Sequence, residues 1–437
     1  MLNRRQAVAF AAAAGAGAAS TLAAPWVHAQ QARVLRFAWW GGAARHAATL
    51  KATALFEALN PGVKVKAEYM GFNGYLERLT AQIAGDNEPD VMQINWAWLA
   101  MFSKRGNGFF DLMQHSKRLA LEQFKVEDLA MGFVAGKLNA MPVSYTARIC
   151  LWNQTTFAKA GLALPRSWDD LFACGEVFAR QLGERYYPLD GELYDVMLLA
   201  QAYVHQKTGT AYLAANAAQV AMSADAALLW VQTYQQLIAR RVATPLRLRA
   251  SLGGAEKPTE QQPDWTLGHW AGNYTWDSSI GLRAGTLQKG QHLALGDFPT
   301  LPGASNSGMF GRPTLMYAVG RNSKQSELAA RLVNHLLVSP QAANILGRTR
   351  GAPAARGPFE ALLRNQQLPP LEMQAHEQIK QQRTAGRIEL PNPLFEHARL
   401  HKFMREVFET VAYGKTSAQD AAQRLVNEGN ALLKRIK

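Results

Sequence analysis

The sequence predicts an α/β protein in which the chain builds two lobes. Strand and helix patterns alternate over residues 34–94, residues 167–242 are almost wholly helical, and a strand followed by a helix returns at 314–337. The chain has 437 residues, of which 48% are hydrophobic and 18% charged, so it can bury the cores of more than one domain. Because α/β character stops and then returns, we expect the chain to pass through the two lobes more than once.

The first predicted elements follow one another without long loops. Residues 34–40 form an apolar strand ended by two glycines, and residues 44–59 carry apolar side chains at helical spacing. Residues 63–70 alternate as a second strand, 74–84 form an amphipathic helix, and 89–94 form a third strand. This β–α–β order predicts a parallel sheet with helices on both faces, and such sheets bind ligands at the carboxyl ends of their strands.

Later elements are predicted from the same patterns and from capping residues. Ser167 followed by Asp170 is typical of a helix start, and a Gly/Pro-rich segment at 253–263 interrupts the long helical region. The further predicted elements are a strand at 141–152, helices at 155–160 and 226–241, a strand at 314–319 and a helix at 326–337.

Residues 1–29 are predicted to be a cleaved export signal. Arg4 and Arg5 precede an apolar run from Ala7 to Ala24, and Val27-His28-Ala29 has the small residues of a cleavage site. The paired arginines resemble a twin-arginine signal, which leaves the folded-export and the ordinary secretory routes both open. A membrane anchor is the alternative, but the run is shorter than the roughly 20 residues that a spanning helix needs. In a bacterium this predicts a periplasmic protein.

The charge of the chain points to an anionic partner without selecting one. Lys and Arg total 47 against 33 Asp and Glu, a net charge of +14, and removal of the signal leaves +12. Nucleic acid, a membrane surface or an acidic small molecule would each suit that charge. Export argues against nucleic acid, and the basic residues do not cluster. Two cysteines, Cys150 and Cys174, exclude a disulfide scaffold, and whether they pair stays open.

Motifs for common catalytic chemistry are absent from the sequence. It has no P-loop, no G-x-S-x-G elbow, no H-E-x-x-H and no EF-hand loop. Ten histidines without paired spacing argue against a metal site, so neither a metal nor a cofactor is expected. Trp, Tyr, Asn and Arg are abundant where the strands end, and these residue types bind ligands.

Several motifs together resemble the bacterial extracellular solute-binding proteins, the maltose-binding-like family that delivers sugars to ABC importers. The residues that carry the resemblance are Phe37-Ala38-Trp39-Trp40-Gly41-Gly42, Asn60-Pro61-Gly62, Pro89-Asp90-Val91, Pro142-Val143-Ser144-Tyr145, Leu151-Trp152-Asn153, Ser167-Trp168-Asp169-Asp170, Pro299 with Pro302-Gly303, and Gly351-Ala352-Pro353. They occur in the order the family shows, from about residue 34 to 356. Trp39 to Gly42 with Arg45-His46, and Gln93 to Leu99, look like the subgroup that binds oligogalacturonides, pectin fragments with a carboxylate on every sugar.

The resemblance implies a two-lobed periplasmic binding protein fold of type II, with a ligand cleft between lobes that close about a hinge. The expected first lobe comprises residues 30–145 and about 268–312, and the second comprises about 146–267 and 313–437. It also implies a monomer that partners the membrane permease subunits of an ABC transporter and performs no covalent chemistry.

Sugar rings present C–H faces that stack on aromatic side chains, while uronate carboxylates require guanidinium groups. For each Trp the alternative is a place in the core, and for each Arg a surface role. The candidate ligand-binding residues are Trp39, Trp40, Arg45, His46, Tyr75, Asn95, Trp96, Trp98, Tyr145, Arg148, Trp270, Asn273, Tyr274, Trp276, Arg312 and Arg350.

Three hypotheses follow: a binding protein for acidic oligosaccharides, the same clamp for a neutral sugar, polyol or glycerol-phosphate ester, and a periplasmic carbohydrate-active enzyme such as a lyase. A carboxylate pair of the glycosidase kind meets only in space, so the sequence leaves the enzyme open.

Overall fold

The computed structural model describes residues 32–215, 217–254 and 257–436. The predicted export signal lies outside these residues. The strands are β1 (Arg33–Trp40), β2 (Val63–Met70), β3 (Val91–Asn95), β4 (Phe133–Val134), β5 (Lys137–Leu138), β6 (Met141–Asn153), β7 (Gly272–Trp276), β8 (Leu293–Gly296) and β9 (Gly311–Val319). In the part of the chain that is described, no helix is both long enough and apolar enough to span a membrane.

The helices confirm the predicted alternation, and each predicted helix start lies within two residues of the observed one. They are α1 (Ala43–Leu59), α2 (Tyr75–Ala84), α3 (Trp98–Phe102), α4 (Val126–Ala130), α5 (Gln154–Lys159), α6 (Trp168–Leu182), α7 (Leu193–Thr208), α8 (Ala224–Ala239), α9 (Leu246–Ser251), α10 (Pro263–Thr266), α11 (Ile280–Gly285), α12 (Ser326–Val338), α13 (Pro340–Leu346), α14 (Arg356–Arg364), α15 (Pro370–Thr384), α16 (Ala398–Ala412) and α17 (Ala418–Ile436). The predicted cap of α6 is present as a complete capping box between Ser167 and Asp170.

The main sheet has the strand order β2-β1-β3-β9-β6-β7, and β8 also pairs with β6. β1 pairs in parallel with β2 and β3, as the β–α–β order predicts, whereas β9 pairs antiparallel with both β3 and β6. β6 and β9 are long enough to run through both lobes. Their crossing pairs are Tyr145 with Pro313, Thr146 with Arg312 and Ala147 with Gly311.

Three main hydrophobic clusters define the two lobes. In the first lobe, one cluster packs β1 against α1 and α12, and a second packs the other sheet face against α2 and α3. The largest cluster fills the second lobe, where the end of β6 packs with α6, α7, α8, α16 and α17. Cys150 and Cys174 are both buried there as free thiols.

The division of the chain between the lobes differs from the expected one. Residues of β7 pair with the second half of β6, and Tyr274, Ile280 and Phe298 belong to the second-lobe core. The region 313–346 instead pairs with β3 and packs α12 against β1 in the first lobe. The expected placement of residues 268–312 in lobe 1 was therefore wrong. The expected placement of the residues after 313 in lobe 2 was wrong as far as α14, which packs on α13. From α15 onward the chain packs in the second-lobe core.

Candidate functional site

An aromatic cluster supports the carboxyl ends of β1 and β3. Trp40 ends β1, and its ring centroid lies 4.9 Å from that of Tyr75 in α2 and 5.2 Å from that of Trp98 in α3. The Tyr75 hydroxyl donates to the carbonyl oxygen of Gln93 at 2.9 Å, which fixes the tyrosine ring against β3. All three rings are buried, so they stabilise this end of the lobe and leave little of their own surface for a ligand.

Two arginines meet beside this cluster. Arg350 is buried, and it donates from Nε to the Gln93 side chain at 2.8 Å and from Nη2 to Thr49 Oγ1 at 2.9 Å. Arg45, from the first turn of α1, donates to the carbonyl oxygens of Thr349 at 2.8 Å and Trp40 at 3.1 Å. Among the described residues, no carboxylate forms an ion pair with either guanidinium, and Nη1 of Arg350 is buried without a hydrogen-bond partner.

The local sequence explains how Arg45 reaches this position. A Cβ on Gly41 would lie 2.5 Å from Cδ of Arg45, so glycine at this position makes room for the arginine side chain. Burial and, to a lesser extent, the neighbouring Arg350 guanidinium lower the pKa of Arg45 to about 10. Burial also lowers the pKa of Arg350. Both groups remain cationic at neutral pH, so the first lobe holds two adjacent positive charges.

The candidate arginines of the second lobe, Arg148 and Arg312, form ion pairs with carboxylates. The centroid of the Trp276 ring lies 4.4 Å from the guanidinium carbon of Arg148 and 4.6 Å from that of Arg312. Arg148 forms a buried ion pair with Asp195 of α7, and Arg312 forms one with Glu396. Because carboxylates of the chain itself neutralise these two cations, they are poorly placed to attract an anionic ligand.

Two groups at the crossing strands also face the space between the lobes. The Arg383 guanidinium of α15 lies 3.7 Å from the centroid of the Tyr145 ring and pairs with Asp128 of α4 at 2.7 Å, which joins the lobes. Asp277 accepts hydrogen bonds from the Thr146 hydroxyl and from the Ala147 amide. Burial raises the pKa of Asp277 to about 6 in spite of these hydrogen bonds.

The remaining first-lobe candidates are largely occupied within the lobe. Trp39 is fully buried on the opposite face of β1 from Trp40, and its Nε1 donates to Nδ1 of His46 at 3.1 Å. Trp96 is buried and donates to the carbonyl oxygen of Met131 at 3.1 Å. Asn95 is half-buried, and its side chain accepts from the amide of Ala97, where it shapes the turn into α3.

Trp270 and Asn273, both in the second lobe, lie away from the other candidates. Trp270 belongs to a small buried cluster with Tyr187 and Trp265, at the end of β7 that points away from the crossing strands. Asn273 is buried and accepts from Arg283 at 3.0 Å. Antiparallel pairing puts Trp276 opposite Arg148, whereas Trp270 and Asn273 lie farther from the crossing strands. Tyr274 is buried, and its ring backs the Arg148 guanidinium at 5.7 Å.

Sequence reasoning missed the groups that hold the arginines. Gln93 is a buried polar residue within the apolar strand β3, and that mismatch is a signal the sequence does contain. Thr49 lies on the buried face of α1 and offers a weaker signal of the same kind. Asp195 and Glu396 meet their arginines only in space, so no sequence signal identifies those pairs.

Two of the described cavities adjoin this site, since one is lined by Tyr145 and Arg383 and the other by Thr349. Two of about 420 Å³ each lie between α14 and α15 and share Asp277, Phe359 and His376. A third, of about 260 Å³, lies within the second lobe beside His205 and Asn392. Arg350 lines a smaller cavity of about 30 Å³ together with Tyr317 and Thr349, and Arg45 lines none of the described cavities. The two unpaired guanidinium groups, rather than the cavity volumes, therefore define the candidate site.

Fold and site together define a two-lobed solute-binding protein. Residues 41–343 match the family model for bacterial extracellular solute-binding proteins, and the chain belongs to that family. This confirms the resemblance found in the sequence. Putative binding proteins of Brucella abortus and Brucella suis are 29% identical over 137 residues, so the match spans about a third of the length of those curated relatives.

Two solved structures resemble the whole chain. A periplasmic oligogalacturonide-binding protein from Yersinia enterocolitica, in complex with saturated digalacturonic acid, has a TM-score of 0.85 and 35% identity, covering 92% of this chain and 99% of that one. A periplasmic solute-binding protein from Pectobacterium atrosepticum has a TM-score of 0.86 and 35% identity over the same shares of the two chains. The type of fold predicted from the sequence is thus confirmed.

Proposed function

We propose that this protein is the periplasmic substrate-binding component of an ABC transporter that captures acidic oligosaccharides, namely oligogalacturonides from pectin, and delivers them to the permease. The observation that supports this proposal is the pair Arg45 and Arg350. Arg350 is buried and Arg45 is half-buried, and neither forms an ion pair with a carboxylate of the described chain. A buried charge without a counter-ion is costly. A uronate carboxylate bound between the lobes would supply that counter-ion.

The surroundings of the two arginines suit this ligand. Gln93 and Thr49 hold Arg350 with neutral side chains, so its positive charge is not cancelled from within the lobe. The buried Nη1 group offers a free donor for a carboxylate oxygen. The similarity to the Yersinia oligogalacturonide-binding protein supports the same class of ligand.

A neutral sugar, a polyol or a glycerol-phosphate ester is the alternative ligand, and a thermal-shift screen separates these classes. The screen compares mono-, di- and trigalacturonate with maltose and glycerol 3-phosphate. A ligand present at a hundred times its dissociation constant stabilises the folded protein by about 2.7 kcal/mol. We expect that shift with the galacturonates only, and a shift with maltose alone would overturn the acidic-sugar proposal.

We also propose that the protein binds its sugar without turnover, as its family is one of binding proteins. Chromatography of oligogalacturonides after long incubation with the protein should show unchanged chains. Shorter or unsaturated products would instead support the lyase hypothesis.

A further inference from the structure

Two aromatic side chains at the end of β2 are exposed. Tyr69 is 43% exposed and Phe72 is 57% exposed, whereas the tryptophans beside them in β1 are buried. Tyr69 is the second-last residue of β2, and Phe72 lies in the loop between β2 and α2. We call these two residues the outer shelf. An exposed aromatic ring beside a binding site offers an apolar face to a ligand.

Each ring of the outer shelf is backed by a fixed partner. The Tyr69 ring stacks on Trp39 with centroids 5.0 Å apart and planes at 26°, and the His46 ring lies 4.5 Å from it. The Trp39–His46 hydrogen bond holds both partners in place. Phe72 contacts Trp40, with ring centroids 5.8 Å apart. Because Trp39 and Trp40 lie on opposite faces of β1, Tyr69 and Phe72 are backed from opposite faces of the sheet at its carboxyl edge.

The position of the outer shelf follows from the order of the strands. From the crossing strand β9, the sheet continues outward through β3 and β1 to the edge strand β2. Neighbouring strands lie about 4.8 Å apart, so β2 lies about 14 Å from β9. Gln93 of β3 holds Arg350, Arg45 bonds to the end of β1, and the outer shelf is at the end of β2.

We infer that Tyr69 and Phe72 form an additional carbohydrate subsite, which stacks on the pyranose rings of a chain that extends outward beyond the sugars bound at Arg45 and Arg350. This inference rests on the proposed function. A chain that runs along the carboxyl edge of the sheet would pass both arginines before it reaches the outer shelf. The shelf contributes apolar ring surface and no charge, so it binds the C–H faces of sugars and not their carboxylates.

The test measures affinity against chain length. Calorimetric titrations with di-, tri-, tetra- and pentagalacturonate use the parent protein and the variants Tyr69→Ala, Phe72→Ala and their double variant. We expect the parent to bind the longer chains about tenfold more tightly than the dimer. The double variant should lose most of that gain and bind the dimer like the parent.

Leu59→Ala is the matched control, since Leu59 is 62% exposed on the first lobe but ends α1, far from the first-turn residue Arg45. It should bind every length as the parent does. The inference is overturned if the shelf variants bind all lengths as tightly as the parent, if they weaken the dimer and the longer chains equally, or if the parent gains nothing from added sugars. Unchanged binding with reduced uptake in cells would assign the rings to permease contact instead.

Failure of the acidic-sugar proposal can be distinguished from failure of the subsite inference. If the parent binds no galacturonate of any length, the acidic-sugar proposal falls on that result alone. The length series is then repeated with neutral glucose oligomers, whose rings also present C–H faces. The subsite stands if the shelf variants lose the length-dependent gain in that series, and it falls if they do not.

Discussion

Nε of Arg350 donates to the side-chain carbonyl oxygen of Gln93 at 2.8 Å, and both side chains are buried. An amide fixes the direction of the guanidinium group without neutralising it. The first lobe therefore holds a positive charge that no carboxylate of the described chain balances. Such an arrangement favours binding of an anion at the expense of stability in its absence.

Replacement of Arg350 by glutamine should separate these two effects. Because the ligand-free protein is relieved of a buried cation, its free energy of unfolding should rise, on the order of 1 kcal/mol. Binding of trigalacturonate should weaken by about 2–5 kcal/mol, since a uronate carboxylate would be left without its partner. Chemical denaturation and calorimetric titration measure the two quantities.

The control for this variant is Arg321→Gln, which removes an exposed surface arginine. It should leave binding unchanged. Trp40→Ala should instead weaken acidic and neutral sugars alike, because it disturbs the support of the site and not its charge. Unaltered galacturonate affinity in both Arg45→Gln and Arg350→Gln would show that neither arginine contacts a carboxylate.

The ion pair between Arg148 and Asp195 predicts the opposite response to mutation. Asp195→Asn leaves the Arg148 cation buried beside Tyr274 and Trp276, so we expect a loss of about 3–5 kcal/mol of unfolding free energy. The double variant Arg148→Met with Asp195→Leu removes both charges and should recover most of that loss. Equal destabilisation in the single and double variants would mean that packing, not the stranded charge, is responsible.

His401 of α16 predicts a pH dependence of stability. Its ring lies 4.4 Å from that of Tyr194, and burial together with the nearby Arg405 lowers its pKa to about 4. A histidine with a depressed folded pKa stabilises the protein above its unfolded pKa of about 6.5, and this contribution is lost as the pH falls towards 4. At pH 5 the loss should be about 2 kcal/mol.

His401→Phe removes that titration while keeping an aromatic ring. Denaturation at pH 7.5 and pH 5.0 should show that the parent loses about 2 kcal/mol more than the variant on acidification. The other histidines with lowered pKa values, such as His335, remain in both proteins and cancel in the comparison. An identical pH dependence in parent and variant would contradict the assignment.

The sequence predicted the bounds of the helices and strands better than it predicted which strands pair with each other. The bounds of β1, α1, β2, α2 and β3 follow from apolar periodicity and turn residues, which are local properties. The lobe to which β7 belongs depends on antiparallel pairing with the far end of β6, and no local pattern records that pairing. Trp270 was misplaced for this reason.

The candidate site, like the fold, could be predicted only in part from the sequence. Alternation along β1 correctly places Trp39 and Trp40 on opposite faces, but it does not tell whether either ring is exposed. Four arginines were equal candidates in the sequence. Their difference appears only when Asp195 and Glu396 meet Arg148 and Arg312 in space.

The crossing strands predict how the lobes would move when a ligand binds. Between the lobes, β6 and β9 pair at Tyr145 with Pro313 and at Thr146 with Arg312, and the register shifts next to Tyr145. We expect closure by rotation about these residues, in the crossing segments Ser144 to Ile149 and Arg312 to Thr314, because such irregular pairing bends more readily than a continuous ladder. Small-angle X-ray scattering should then show a smaller radius of gyration with saturating trigalacturonate. Arg350→Gln is the matched control, since it keeps the hinge but should bind too weakly to be saturated at the concentration that saturates the parent. An unchanged radius in the parent, under conditions where calorimetry shows saturation, would mean that the lobes do not close on the ligand or are already closed without it.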